Sequence, residues 1–436
     1  MTTDLGITSL WHGRDVIMAD SARDIALRVG CVFIVAIIFY SAFVPKSYDF
    51  KQEQPKFKFD YRPLVRTGEV DGSDFQTDVT TKRIPFPPDS LGRANRVVRR
   101  KPNVTSLSPA VYKMAKPVFD KLPDEYLPGY KSSCWTVEGA TENAIKCLPY
   151  FYIVGMPKCG TSDLWRKIVH HPQVVSRVPK EPHWWTRKRY DGIPFERYLG
   201  RSTEMVTRIL KNQSLKGELI IGDGSASTMW DNSKWRALFG DLYEGPPHVM
   251  ADVIRAVQPE ARLIAILRDP VSRLYSDYLF FNRHNSPEEF HHCVVTAVAL
   301  FRNCTTCASA RACVYDGQLS WRKQIHVRLL LGIYVVYIRD WLRVFPQDQL
   351  MILRLDDWHV NCTELLPDIF DFFQLERLSS RRVQEICASK PRNSNKKKAE
   401  AVGPMLPKTE RILRDFYANW NRELSQLLDN NLYMWQ

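Results

Sequence analysis

The sequence predicts an α/β fold, a P-loop-like parallel sheet flanked by helices and preceded by an N-terminal membrane helix and a stem. Three observations point there. From Cys147 onward short β-rich runs alternate with helical patterns, as expected of parallel strands joined by crossover helices. A glycine-bounded turn, Gly155 to Ser162, separates a buried-strand pattern from a helical one. Near the N-terminus, Val29 to Val44 is an uncharged apolar run. The 436 residues suit one large domain with appendages or two modest ones. With 44% hydrophobic residues and a mean hydropathy of −0.30, a disordered chain, a collagen-like repeat and a polytopic membrane protein are excluded. Sixty-one Lys and Arg against 48 Asp and Glu leave a net charge of +13, which calls for an anionic partner without choosing among nucleic acid, phosphate ligand, acidic glycan and lipid.

The apolar run reaches back to Ile25 if Arg28 snorkels to the headgroups. Residues 25–44 are then about 20 helical residues at ~1.5 Å each, enough for a bilayer core of ~30 Å. The 28 residues ahead of Val29 disfavour a cleaved signal peptide. Arg14, Arg23 and Arg28 precede the run and Lys46, Lys51, Lys56, Lys58 and Arg62 follow it, so the positive-inside rule alone leaves the C-terminal bulk in the cytosol. Two features oppose this. Sequons at Asn103, Asn212, Asn303 and Asn361 and nine of ten cysteines lie beyond the run, which suits an oxidising lumen. The expected order is a cytosolic tail (1–24), an anchor (25–44), a Pro-rich, aperiodic stem (45–130) and a lumenal domain (131–436).

Tyr150 to Val154 reads as a buried strand and Asp163 to Val169 as a helix. A loop between them presents backbone N–H groups and a helix N-terminus to an anion. The spacing Gly155-x4-Gly160 is that of a phosphate-binding loop, yet Thr161 stands where such loops carry Lys, and the lysine lies inside at Lys158. Lys158 therefore faces the first phosphate and its leaving group. Further on, the strand Arg262 to Leu267 runs into Arg268, with Ser276 two helical turns along. A guanidinium gives two-point charge-assisted bonds to a phosphate and a hydroxyl can complete such a contact, while Arg273 between them reads as structural.

Pro157-Lys158-Cys159-Gly160-Thr161-Ser162-Asp163-Leu164, followed by Arg268 to Ser276, resembles the sulfotransferases. The resemblance implies the sulfotransferase fold and the donor 3′-phosphoadenosine 5′-phosphosulfate, with Lys158, Cys159, Gly160, Thr161 and Ser162 at its 5′ end and Arg268 and Ser276 at its 3′-phosphate. Lys180-Glu181-Pro182-His183 is similar to the segment that supplies the catalytic carboxylate in glycosaminoglycan enzymes of the family. It implies Glu181 as the base for a sugar hydroxyl, with His183 assisting; a surface ion pair is the plain alternative for Glu181. Lys180, Trp184 and Trp185 are candidate acceptor contacts, the indoles by stacking on a sugar face or else by core packing, within a basic cluster completed by Arg187, Lys188 and Arg189.

The run Lys-Glu-Pro-His-Trp-Trp-Thr-Arg, with Gly222 to Asp231 and the helix from Met405 to Leu428, resembles Golgi carbohydrate sulfotransferases of the N-acetylgalactosamine 4-sulfate 6-O-sulfotransferase group. That implies a sulfated glycosaminoglycan acceptor, a lumenal type II Golgi membrane protein, no nucleic acid partner and no metal. Heparan-type relatives carry a Lys where this chain has Asp223-Gly224-Ser225, which favours chondroitin or dermatan over heparan. Lys390, Arg392 and Lys396 to Lys398 form a basic loop suited to close over nucleotide or glycan.

Outside the anchor and the loop, eight cysteines remain, 134, 147, 293, 304, 307, 313, 362 and 387. Their even number suits disulfides of unspecified pairing; zinc on His291, His292, Cys293, Cys304, Cys307 and Cys313 is the rival. A nucleotide kinase using Mg and ATP and a non-catalytic glycan-binding protein are the competing functions.

Overall fold

The computed structural model describes residues 99–137, 145–282, 286–317, 319, 325–389 and 396–435. Contacts divide the chain into Met1–Thr81 and Lys82–Gln436, and every described residue belongs to the second unit. The expected anchor at 25–44 lies outside the described residues; among these, no helix is long and apolar enough to cross a membrane.

In chain order the elements that position the site are α1 (Pro109–Phe119), β1 (Cys134–Thr136), β2 (Ile145–Cys147), β3 (Phe151–Gly155), α2 (Thr161–Ile168), β4 (Gly222–Asp223), α3 (Met250–Val257), β5 (Arg262–Leu267), α4 (Pro270–Phe281), α5 (Pro287–Cys304), α6 (Tyr334–Val344), β6 (Leu350–Arg354), α7 (Cys362–Phe372) and α8 (Pro407–Leu427). β1 and β2 form an antiparallel ribbon, and the other strands form a parallel sheet in the order β4-β3-β5-β6. β3 is buried throughout, as is β5 beyond Arg262, which is why both read as unbroken apolar runs rather than alternating ones. β3 pairs with β5 from Phe151↔Arg262 and shifts register between Ile153 and Gly155, while β5 pairs with β6 through Leu267↔Arg354. The carboxyl ends of β3, β5 and β6 therefore share one edge, where parallel sheets bind ligands.

Helix starts follow from local chemistry. Asp269 caps α4 by accepting from Val271 and Ser272 N–H at 3.2 and 3.3 Å, and Pro270, which has no N–H to satisfy, occupies its first turn. Ser286 caps α5 in the same way, ahead of Pro287, and Ser108 caps α1 ahead of Pro109.

The folded unit begins earlier than the expected boundary at 131. α1 buries Val111, Met114, Ala115, Val118 and Phe119 and packs along α3, so this part of the expected stem belongs to the core. Its short amphipathic pattern sits among Pro and Lys residues that dominate the composition there. Three disulfides, Cys134–Cys147, Cys304–Cys313 and Cys362–Cys387, tie the unit together. The expectation that all eight cysteines pair is corrected, since Cys293 is a buried thiol and Cys307 an exposed one. Cys304 and Cys313 are consumed by their disulfide, which removes them from the alternative zinc set.

Candidate active site

Adjacent parallel strands bring the two predicted phosphate segments together. Met156 N–H donates to the Ile266 carbonyl at 3.0 Å, and Tyr334 O–H donates to the Arg268 carbonyl at 2.8 Å while lying 3.6 Å from the Cys159 sulfur. The loop after β3 and the chain after β5 are thus stapled to each other through α6. Burial lowers the Lys158 ammonium to about 8; Asp277 opposes that shift, and Arg268 and Arg328 add to it by repulsion. Lys158 and Arg268 are therefore close enough to repel each other. Burial likewise pushes the Cys159 thiol up to about 11, so it packs beneath the loop as a neutral group.

Gly160 is required twice over. Its φ of +86° is left-handed, and a Cβ there would stand 2.4 Å from Leu355 Cδ1. That bend starts α2 with Thr161 buried and Ser162 half-buried at the end that attracts anions. Ser276 is half-buried on α4 beyond Arg268. The neighbouring Asp277 is buried and takes a two-point contact from Arg328, through Nε at 2.8 Å and through Nη2. The fully buried Arg273 donates to the Arg328 carbonyl at 2.7 Å, the structural role expected of it. One helix turn past Ser276, Phe280 places its ring 3.7 Å from Lys158 Nζ.

The predicted acceptor segment folds against this loop. Lys180 Nζ lies 3.4 Å from Thr161 Oγ1 and ion-pairs with Glu181. Glu181 Oε2 accepts from Ala226 N–H at 2.9 Å and stands 3.4 Å from His183 Nε2. The other imidazole nitrogen, Nδ1, is 2.7 Å from Ser227 Oγ, and His183 N–H donates to Ser225 Oγ at 3.0 Å. Ser225 in turn donates to the buried Asp223 carboxylate at 2.7 Å, as does Tyr198. Burial holds His183 below its ordinary value, which leaves the ring neutral near pH 7. Lys158, Glu181 and His183 adopt φ of 65°, 59° and 49°. Non-glycine residues held there cost about 1–3 kcal/mol each and concentrate at functional sites.

Two expectations are corrected. Trp184 and Trp185 are 3% and 1% exposed, and their N–H groups are spent on the Ile193 carbonyl and the Tyr198 hydroxyl, at 2.9 and 3.0 Å. With Trp184 stacked on Tyr198, neither indole offers a face to a sugar. Arg189 also leaves the basic cluster, since it donates to the Met114 carbonyl on α1 and lies over the Trp184 ring. The exposed aromatic group in contact with Lys158 is Phe280, with Phe281 beside it, 48% and 56% exposed. Its signal in the sequence was its position four residues after Ser276, on the same helical face. Ser227 carried no comparable signal.

All four sequon asparagines are exposed. Lys390 and Arg392 of the basic loop lie outside the described residues, whereas Lys398 donates to the Asn282 carbonyl just past α4. Among the described residues no three His, Cys, Asp or Glu side chains form a group able to hold a metal ion.

Chemically, this edge can grip an anion between a loop cation, a helix N-terminus and a guanidinium, with a carboxylate and a neutral imidazole facing the adjoining space. Comparison with known proteins agrees. Residues 148–412 match the sulfotransferase domain family. Human carbohydrate sulfotransferase 15 is 38% identical over 379 residues, covering 73% of this chain and 67% of that protein, and the rat protein of that name is 37% identical with the same coverage. Mouse heparan sulfate glucosamine 3-O-sulfotransferase 3B1 is 25% identical, covering 65% of this chain and 64% of its own.

Proposed function

Since the chain belongs to the sulfotransferase domain family and is a sulfotransferase, we propose that it moves a sulfuryl group from 3′-phosphoadenosine 5′-phosphosulfate to a sugar hydroxyl of a sulfated glycosaminoglycan. The acceptor position is the 6-hydroxyl of N-acetylgalactosamine 4-sulfate in chondroitin or dermatan sulfate. One observation carries this reading, the placement of Lys180 between Thr161 of the phosphate loop and the Glu181 carboxylate. It puts a candidate base beside the donor loop, as in-line transfer requires.

The residues fit the donor. Lys158, the amides that follow Gly160, Thr161 and Ser162 suit its 5′-phosphosulfate, and Arg268 with Ser276 suits its 3′-phosphate. When bound, the donor supplies an activated sulfuryl group. Lys158 as an ammonium neutralises charge on the leaving oxygen. Glu181, aimed by the Ala226 N–H and by Lys180, takes the proton of the acceptor hydroxyl. His183, held by Ser225 and Ser227, orients that hydroxyl.

The galactosaminoglycan acceptor is supported by the Lys180 to Arg187 run and by Asp223, Gly224 and Ser225, where a structural carboxylate network stands in place of a lysine. A Golgi lumenal setting, with residues 25–44 as a type II anchor, is supported by three disulfides and four exposed sequons. The test incubates the protein with labelled donor and desulfated, 4-sulfated and heparan chains and then analyses the disaccharides. Disulfated N-acetylgalactosamine from the 4-sulfated chain is the expected product; label confined to heparan overturns the acceptor, and label in no chain overturns the reaction.

A further inference from the structure

We propose that the cavity beside His183 is a second saccharide subsite, which takes an anionic sugar of the acceptor chain next to the unit being sulfated, held by Lys234 and Arg187. Its choice of ligand rests on the acceptor reading above. The cavity measures about 860 Å³, and Thr186, Arg187, Asp191, Lys234, Trp235 and Arg236 contribute to its walls. Binding sites of this volume hold a sugar unit with room to spare.

Its position is set by a short chain of contacts. Thr186 Oγ1 lies 2.9 Å from Ser227 Oγ, which lies 2.7 Å from His183 Nδ1. A wall of the cavity therefore lies one buried hydroxyl, that of Ser227, from the imidazole, and the proposal seats there the sugar next to the one at Glu181 and His183.

The wall chemistry selects the ligand. Arg187 Nε is fixed by Asp231 Oδ2 at 2.6 Å, and its guanidinium lies 5.7 Å from the Trp230 ring centroid, so the fork is oriented before any ligand arrives. Arg236 is braced by Asp316 at 3.3 Å and by Asp241, and its Nε is buried without a hydrogen-bond partner among the described residues. Lys234 is exposed and its ammonium has no ion-pair partner among the described residues. The Asp231 and Asp316 carboxylates are already engaged by arginines, which leaves Asp191 to accept from sugar hydroxyls. An oriented guanidinium and an unpaired ammonium beside hydroxyl acceptors match a uronate or a sulfated sugar better than a neutral one.

The test is calorimetric titration of chondroitin 4-sulfate oligosaccharides into the full chain in the presence of 3′,5′-phosphoadenosine, for the wild type, Lys234→Ala and Arg187→Gln, with sulfate incorporation followed in parallel. Lys234 is exposed, so its variant probes the subsite without disturbing the core, whereas Arg187→Gln is accompanied by a melting curve. Expected is an affinity about tenfold weaker in Lys234→Ala, with an unchanged affinity for 3′,5′-phosphoadenosine. Equal oligosaccharide affinity in Lys234→Ala and the wild type overturns the subsite while normal sulfate transfer leaves the reaction standing. A wild type that binds the oligosaccharide through Lys234 but transfers no sulfate to it supports the subsite and overturns the acceptor reading. A wild type that binds none overturns the subsite, and the parallel sulfate incorporation then decides the reaction by itself.

Discussion

Lys158 Nζ lies 3.7 Å from the centroid of the Phe280 ring, so the amine proposed to face the donor rests on an aromatic face carried by the same helix as Ser276. A ring quadrupole favours the cation by about 0.5–1 kcal/mol at exposed sites. Replacing Phe280 by Leu keeps an apolar side chain and removes the π face. Turnover is expected to fall about fivefold, as loss of roughly 1 kcal/mol implies, and Phe280→Tyr to restore it. Steady-state kinetics of the three proteins check this; a Leu variant with wild-type turnover refutes it.

The low Lys158 value gives a pH dependence of definite sign. Burial brings the ammonium to about 8, with Asp277 opposing and Arg268 and Arg328 assisting. The working form is the cation, present below that value and lost above it. kcat/KM for the donor, which reports the free enzyme, is expected to decline as pH rises through about 8. In kcat the decline moves to higher pH, because a bound polyanion favours the cation. A profile flat from pH about 7 to 10 contradicts a catalytic ammonium at this position.

Glu181→Gln retains the shape of the side chain and removes the base, and Lys158→Ala removes the leaving-group cation. Glu181→Gln is expected to lower the rate about 10²–10⁴-fold with melting behaviour intact, and Lys158→Ala to abolish detectable sulfate incorporation. Normal turnover by Glu181→Gln would falsify the assignment of the base and pass the role to His183.

Gly160→Ala forces a Cβ into left-handed backbone and to 2.4 Å from Leu355. The left-handed conformation alone costs about 1–2 kcal/mol. Denaturant titration is expected to show at least that loss, and calorimetry a weakened affinity for 3′,5′-phosphoadenosine, since the same turn aims the loop amides. Wild-type stability and affinity together would show that the turn tolerates a side chain.

Much of the architecture around the candidate donor loop was legible in order along the chain. The strand at Arg262–Leu267 has the predicted bounds, and the loop helix starts at Thr161, two residues ahead of the expected Asp163. Such features depend on local chemistry, on an apolar run, a glycine bend and a cap. The acceptor side was legible only in part. Lys180, Glu181 and His183 come together as a group, yet what aims the imidazole is Ser227, 44 residues away along the chain.

The tryptophans and phenylalanines make the division plain. All four are large aromatic residues in the sequence, and only packing decides that Trp184 and Trp185 are sealed against Tyr198 while Phe280 and Phe281 stand open beside Lys158 and Arg328. The cysteine pairing and the docking of α1 on α3 belong to the same class. Periodicity, glycine placement and residue type along a short segment determined the parallel sheet and the glycine-bounded loop at its edge, because those follow from backbone sterics and nearby hydrogen bonds. Which side chains share the cleft was decided by the tertiary structure, because burial and contact depend on segments far apart along the chain.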